Sequence, residues 1–380
     1  MNGQRGYASL IAMTSAVPAT AIFSTAAIFD WYDRHGRSLP WRHRWPDLAP
    51  AYHVWLSEIM LQQTVVATVV PYFLEFTGRW PEICDLAAAD QDEVMAAWAG
   101  LGYYARARNL HRAAQIVCAT HKGRFPDEVD GLRQLPGIGP YTAGAIAAIA
   151  FGRRSTVVDG NIERVLARFF AITTPLPAAK AEIGSCYEDV LPPDRPSDFP
   201  QALMDFANAV CTPRNPGCVA CPLGEGCAAR RAGTPEAWPV KAPKKIKPER
   251  RGIAFVAIDH DGRAFMMTRP ERGMLGGMMA FPSVGWTPDD GVYDAMSPFA
   301  GAPFEADWRM AEDAVSHVFT HFSLTMDVAI AACDGTEYDG IEYDGMGPSD
   351  CWHAVRPASL PTLMRKVWHV ARKQAGRRQT

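Results

Sequence analysis

The chain has 380 residues, 48% hydrophobic and 21% charged, with a formal net charge of −3. That length is long for one hydrophobic core and predicts two or three domains, and the composition fits a folded soluble protein. No apolar run approaches the ~20 residues that span a bilayer, which argues against membrane insertion. Residues 1–250 carry 26 Lys+Arg against 24 Asp+Glu, and residues 251–380 carry 12 against 17, so the two parts hold +2 and −5. Neither value forces a nucleic-acid partner. Local clusters say more: Arg34, Arg37, Arg42 and Arg44, then Arg106, Arg108 and Arg112, then Arg153 and Arg154 each offer phosphate contacts, with a solvated face as the alternative.

In chain order, residues 1–22 are small and mildly apolar, hold one arginine, are interrupted by Pro18 and lack a convincing cleavage pattern, so they read as a loose extension. Residues 23–229 read as helices with short connections: an amphipathic stretch with Ile28, Phe29, Trp31 and Tyr32, then Ala51 to Phe76, Gln91 to Ala99 and Arg106 to His121, punctuated by Pro71, Pro81 and Gly123. Within them, Val54 to Thr64 places one acid, Glu58, in an otherwise apolar helix. A buried Glu is costly unless paired or neutral, and desolvation raises its pKa toward that of a general acid. Leu135-Pro136-Gly137-Ile138-Gly139 precedes an Ala-rich helix, Ala143 to Phe151. The two glycines permit a tight turn that leaves backbone N–H groups free for a phosphate oxygen, a helix-hairpin-helix element at about 127–151, with a plain helix connection as the bland alternative. Eighteen residues beyond Tyr141, Asp159 stands before Gly160 and Asn161 at a helix start, where it reads as an N-cap, as a catalytic carboxylate, or as both.

Cys211, Cys218, Cys221 and Cys227 are separated by six, two and five residues. Four thiols on one loop suit an iron–sulfur cluster or zinc, and the single Cys-x-x-Cys pair favours a [4Fe-4S] cluster over a zinc ribbon. Nine cysteines with four clustered predict a reducing compartment in which the other five are core thiols. Residues 230–249, with Pro235, Pro239, Pro243 and Pro248 among lysines and arginines, read as a linker. Beyond it, Ile253 to Ile258 and Ala264 to Thr268 read as a β-hairpin, and Leu363, Val367, Trp368 and Ala371 mark a terminal helix.

The helix around Glu58, Gly100-Leu101-Gly102-Tyr103-Tyr104, the Leu-Pro-Gly-Ile-Gly hairpin, Val158-Asp159-Gly160-Asn161 and the four cysteines together resemble the adenine DNA glycosylases of the MutY type, within the helix-hairpin-helix superfamily of endonuclease III. The resemblance covers residues 24–372. It implies an α+β multidomain fold: an all-α glycosylase core over 23–229 with a [4Fe-4S] loop at 211–227, the linker, a Nudix-like α/β domain over 250–372 and a basic tail at 373–380. It implies a monofunctional enzyme that flips out and excises adenine opposite 8-oxoguanine or guanine in double-stranded DNA, working as a monomer in a bacterial cytoplasm near the nucleoid. Thymine or uracil excision on the same scaffold, or a non-catalytic iron–sulfur DNA-binding module, are the competing readings.

Carried over residue by residue, Glu58 matches the family's general acid and Asp159 the stabiliser of the oxocarbenium-like sugar. Tyr141 stands where endonuclease III has a lysine, so no imine forms, and Tyr141 and Asn161 support the catalytic pair. Gln63, Leu101 and Tyr103 match wedge positions that fill the stack left by the flipped base, and Gly137 and Gly139 form the phosphate-binding hairpin. Arg37, Trp41 and Arg42 resemble the segment beside the adenine pocket, although the spacer from Trp41 to Glu58 looks longer than usual. Arg214 lies within the cysteine loop, where a basic side chain can meet phosphate. Phe319-Thr320-His321 matches a Phe-Ser-His loop that senses 8-oxoguanine, with threonine for serine, while the Nudix hydrolase box is absent.

Overall fold

The computed structural model describes residues 22–243, 247–270, 273–287, 291–333, 351–357 and 360–376. The chain divides into two compact units, Met1–Pro243 and Lys244–Thr380. The N-terminal extension up to residue 21 and the tail from residue 377 lie outside the described residues.

The first unit is helical: α1 (Thr25–His35), α2 (Ala51–Met60), α3 (Val66–Arg79), α4 (Ile83–Ala88), α5 (Gln91–Ala97), α6 (Ala105–His121), α7 (Val129–Leu132), α8 (Pro140–Phe151), α9 (Gly160–Phe169), α10 (Lys180–Val190), α11 (Asp198–Ala209) and α12 (Ala228–Arg231). Its centre is α8, whose Ala143 to Ala150 are all buried. Alanine at five of these positions and glycine at one leave little side chain, so α2 and α11 pack closely against α8. The hairpin before it turns on Gly137, at φ 79°, a left-handed conformation natural to glycine, with the Asn109 Cβ 3.1 Å from where a Cβ would stand.

Several expectations change. The stretch from Ala51 to Phe76 is two helices, broken at Leu61–Val65. Pro71 lies inside α3 and does not end it, because the buried stripe of Val69, Phe73 and Phe76 outweighs one missing hydrogen bond. The first helix of the hairpin motif, α7, is a single turn, and the second opens at Pro140, ahead of Ala143. Of the five cysteines expected as core thiols, Cys84 and Cys118 form a disulfide that ties α4 to α6, and Cys84 is exposed. The stretch expected as linker stays on the first unit up to its boundary: Leu176 N–H donates to Val240 O at 2.8 Å and Ala242 N–H to Leu176 O at 3.2 Å.

The second unit contains β1 (Glu249–Ile258), β2 (Ala264–Phe265), β3 (Met267–Thr268), β4 (Met279–Ala280), β5 (Ser283–Val284), β6 (Arg309–Met310), β7 (Val315–Val318), β8 (Ser323–Ala332), β9 (Trp352–His353) and α13 (Thr362–Gly376). Long strands β1 and β8 pair in parallel from Glu249↔Ser323 to Ile258↔Ala332 at the middle of a seven-stranded sheet. Residues 252–257 of β1 are buried on both faces because two cores flank it. Ala254 and Val256 face the cluster holding Leu363, Met364 and Val367 of α13, while Ile253 and Phe255 face Phe304 and Trp308. The expected hairpin is present as Ile258↔Ala264, and α13 runs into the expected tail as far as Gly376.

Candidate active site

Glu58 lies in the last turn of α2, half-buried in the wall of a cavity of about 650 Å³ that Asp159, Tyr141, Asn161, Arg42 and Trp41 also line. Burial is the main force on its carboxyl and pushes the pKa to about 7, the Tyr141 hydroxyl donates a hydrogen bond that draws it back, and the Asp159 charge raises it further. The negative end of the α2 dipole acts in the same direction. Tyr141, two residues into α8, is pushed well above its ordinary range by its own burial, so it stays a neutral donor.

Asp159 sits at the opposite kind of helix end. As N-cap of α9 it accepts from Asn161 N–H at 3.0 Å and Ile162 N–H at 2.8 Å, and from the Asn161 side-chain amide at 2.7 Å. Three donors thus converge on one carboxyl group at the positive end of a helix. The cap and the cavity-facing carboxylate are therefore the same group. Two carboxyl groups thus share one cavity, Glu58 with its pKa raised by burial and Asp159 fixed by three hydrogen bonds at a helix N-terminus.

The rest of the wall was less visible in the sequence. Arg42 and Arg37 are both held by Asp205, buried in α11: Arg42 Nη1 reaches Oδ2 at 2.7 Å and Arg37 Nε reaches Oδ1 at 2.7 Å, with Arg37 N–H on Oδ2 at 2.8 Å. This pairing orients two guanidiniums over the cavity without leaving either charge bare. Asp205 carries no local motif, and only its contact 163 and 168 residues away gives it meaning. Trp41 is buried edge-on against Phe73, with ring centres 5.1 Å apart.

The four cysteine side chains line a second, small cavity with Arg168 and Arg230. Among the described residues, no three His, Cys, Asp or Glu side chains stand where a single metal ion could be held. Arg168, buried in α9, donates to Cys211 Sγ at 3.3 Å and to the carbonyls of Thr212, Pro213 and Trp238 at 2.7, 3.1 and 3.2 Å. Burial pushes the Cys221 thiol up to about 11 and Cys211 upward, with Arg168 and Arg164 drawing Cys211 back. Arg164 joins this loop to the cavity of Glu58 and Asp159: its Nε donates to Cys211 O at 2.7 Å and its Nη2 to Asn161 Oδ1 at 3.2 Å, and Asn161 in turn holds Asp159. Neither arginine was singled out by the sequence. Arg214 is exposed on the loop.

Of the residues matched to the wedge, Gln63 and Tyr103 are exposed, whereas Leu101 is packed in the core. Gly139 is the N-cap of α8, two residues after Gly137 in the hairpin. Several arginines read as phosphate contacts have other duties. Arg106 is spent on backbone carbonyls, Arg44 lies 3.9 Å over the Tyr32 ring, Arg153 pairs with Asp127 and Arg154 donates to Pro192 O at 2.7 Å. In the second unit, Thr320 and His321 are exposed at the tip between β7 and β8, and Phe319 stacks on Trp286 with ring centres 5.8 Å apart.

Residues 56–183 match the HhH-GPD superfamily base excision DNA repair proteins, and residues 253–370 match the NUDIX domain. Helical core, paired acids and sheet domain thus define a two-part base-excision repair protein. Curated relatives named adenine DNA glycosylase include those of Homo sapiens, 34% identical over 92% of this chain and 74% of the relative, and Rattus norvegicus, 33% identical over 90% and 77%. A third, from Buchnera aphidicola subsp. Acyrthosiphon pisum, is 36% identical over 67% of this chain and 72% of its own. The chain belongs to the adenine DNA glycosylase family.

Proposed function

We propose that the protein is a monofunctional glycosylase that extrudes adenine paired with 8-oxoguanine or guanine from duplex DNA and hydrolyses its N-glycosidic bond. The observation that carries this reading is the shared cavity of Glu58 and Asp159, with the Glu58 carboxyl at about 7. Adenine leaves poorly as an anion. Glu58 donates its proton to the purine ring as the bond to C1′ breaks, then as a carboxylate takes a proton from the attacking water. The Asp159 carboxylate faces the electron-deficient sugar and stabilises it by charge. Tyr141 keeps Glu58 oriented, Asn161 keeps Asp159 oriented, and Arg37, Trp41 and Arg42 shape the base pocket.

Gln63 and Tyr103 enter the vacated stack, the hairpin at Gly137 and Gly139 holds a phosphate, and Phe319, Thr320 and His321 meet the opposite base. Four thiols without imidazole or carboxylate suit a [4Fe-4S] cluster, held by Cys211, Cys218, Cys221 and Cys227. When bound, such a cluster stiffens the loop and places it against DNA. Tyr141 has no amine to form an imine, which supports release of the base without strand cleavage.

The test is a single-turnover assay on duplexes with A opposite 8-oxoguanine, A opposite G, and U or T opposite G. Adenine release leaving alkali-labile but uncut strands supports the reading. Preferential release of uracil or thymine, or rapid strand cleavage without alkali, overturns it.

A further inference from the structure

Among the exposed non-glycine residues of the first unit with left-handed backbones are Gln63 at φ 57° and Tyr103 at φ 49°, in neighbouring loops. For an ordinary side chain that conformation costs roughly 1–2 kcal/mol and persists only where the surroundings impose it. Both loops close on one side chain. Arg106 Nη1 donates to Ile59 O at 2.9 Å and Met60 O at 3.0 Å, the carbonyls that end α2, and Nη2 donates to Leu101 O at 2.9 Å and Gly102 O at 3.3 Å, just before Tyr103. Nη2 also lies 3.5 Å from Thr64 Oγ1, just after Gln63. The guanidinium faces the rings of Trp98 and Tyr103 at 5.2 and 5.6 Å, and Trp98 Nε1 adds a bond to Gly102 O at 3.0 Å. A planar fork with donors on two nitrogens spans both loops, whereas a lysine ammonium offers one centre and cannot.

We propose that Arg106 is a positioning residue that locks the loops presenting Gln63 and Tyr103 into one rigid wedge, and through it sets how completely the target nucleotide is driven from the stack. The proposal rests on the wedge assignment given under the proposed function. Arg106 acts through these loops, its Nη atoms being occupied by protein carbonyls. Its effect is to keep two strained loops from relaxing outward when stacked bases push back.

The experiment uses the full cluster-bearing chain and a duplex carrying 2-aminopurine opposite 8-oxoguanine, whose fluorescence rises on unstacking. In the Glu58→Gln background, which blocks proton donation, binding produces that rise, and adding Arg106→Lys reduces it at least threefold. With Glu58 intact, Arg106→Lys slows single-turnover adenine release at least tenfold, yet binds a duplex with a tetrahydrofuran abasic analogue in place of adenine within threefold of wild type. Arg106→Lys combined with Tyr103→Leu is no slower than the slower single variant. Arg106→Gln serves as a second probe, and a cluster absorbance equal to wild type shows that each variant is folded. An undiminished fluorescence rise, multiplicative rate losses in the double variant, or equal loss of affinity for the abasic duplex overturns the proposal. Absence of adenine release by the wild type would instead strike the proposed function, and the fluorescence measurement would still decide on Arg106.

Discussion

At the scale of single residues, the two acids stand in different settings, Glu58 pushed up by burial and Asp159 tied into a helix N-cap. Asp159 at an N-terminus and Glu58 near a C-terminus meet one cavity from opposite poles. Asp159→Asn keeps a good N-cap, so thermal unfolding should stay within about 1 kcal/mol of wild type while single-turnover adenine release falls on the order of 10²–10³-fold. Loss of stability matching the loss of rate would reduce Asp159 to a cap. Glu58 titrates the other way. Its folded pKa of about 7 exceeds the ordinary carboxyl value of 4.5, so the folded form holds the extra proton and stability declines as pH rises from 4.5 through 7. Glu58→Gln should therefore be more stable than wild type at pH 8 and level with it at pH 4.5, as denaturant midpoints at the two pH values would report.

At the scale of elements, α9 links the Glu58–Asp159 cavity to the cysteine loop. Its N-cap is Asp159, its first turn supplies Asn161, and one and two turns on Arg164 and Arg168 hold the Cys211 segment. Arg168→Met should leave four carbonyl and sulfur acceptors unpaired and speed iron loss to a chelator about tenfold or more, a 1.4 kcal/mol equivalent. Unchanged iron retention would contradict that role. The Cys84–Cys118 bond, across a sequence separation of 34, should add about 3–4 kcal/mol to stability, which reduction or a Cys84→Ser/Cys118→Ser pair would remove.

These elements also show what was legible in advance. Glu58, Asp159 and the cysteine loop were readable because each lies in a short segment whose residue types already state the chemistry. Asp205, Arg164 and Arg168 were not, since their meaning comes from partners 43 to 168 residues away. Arg106 was read as a phosphate contact because a cluster of cations looks alike whether it faces water or backbone carbonyls. Pro71 and the disulfide were missed because tertiary packing overrode a local rule in one case and brought two helices together in the other.

At the scale of the whole molecule, the paired acids and the cysteine loop lie in the helical unit, and Phe319, Thr320 and His321 lie in the sheet unit. That division predicts separable losses. His321→Ala should lower the preference for 8-oxoguanine over guanine about tenfold, roughly 1.4 kcal/mol, while sparing adenine release from A opposite G. Equal slowing on both duplexes would move His321 out of recognition. The account as a whole turns on a proton held by Glu58. The measurement that tests it most directly is the pH dependence of single-turnover adenine release from A opposite 8-oxoguanine, in wild type and Glu58→Gln. The wild-type rate should fall as pH rises through about 7, and Glu58→Gln should be slower by ~10²–10⁴-fold with no such break. A wild-type profile flat across that range, or a Glu58→Gln rate equal to wild type, would contradict it.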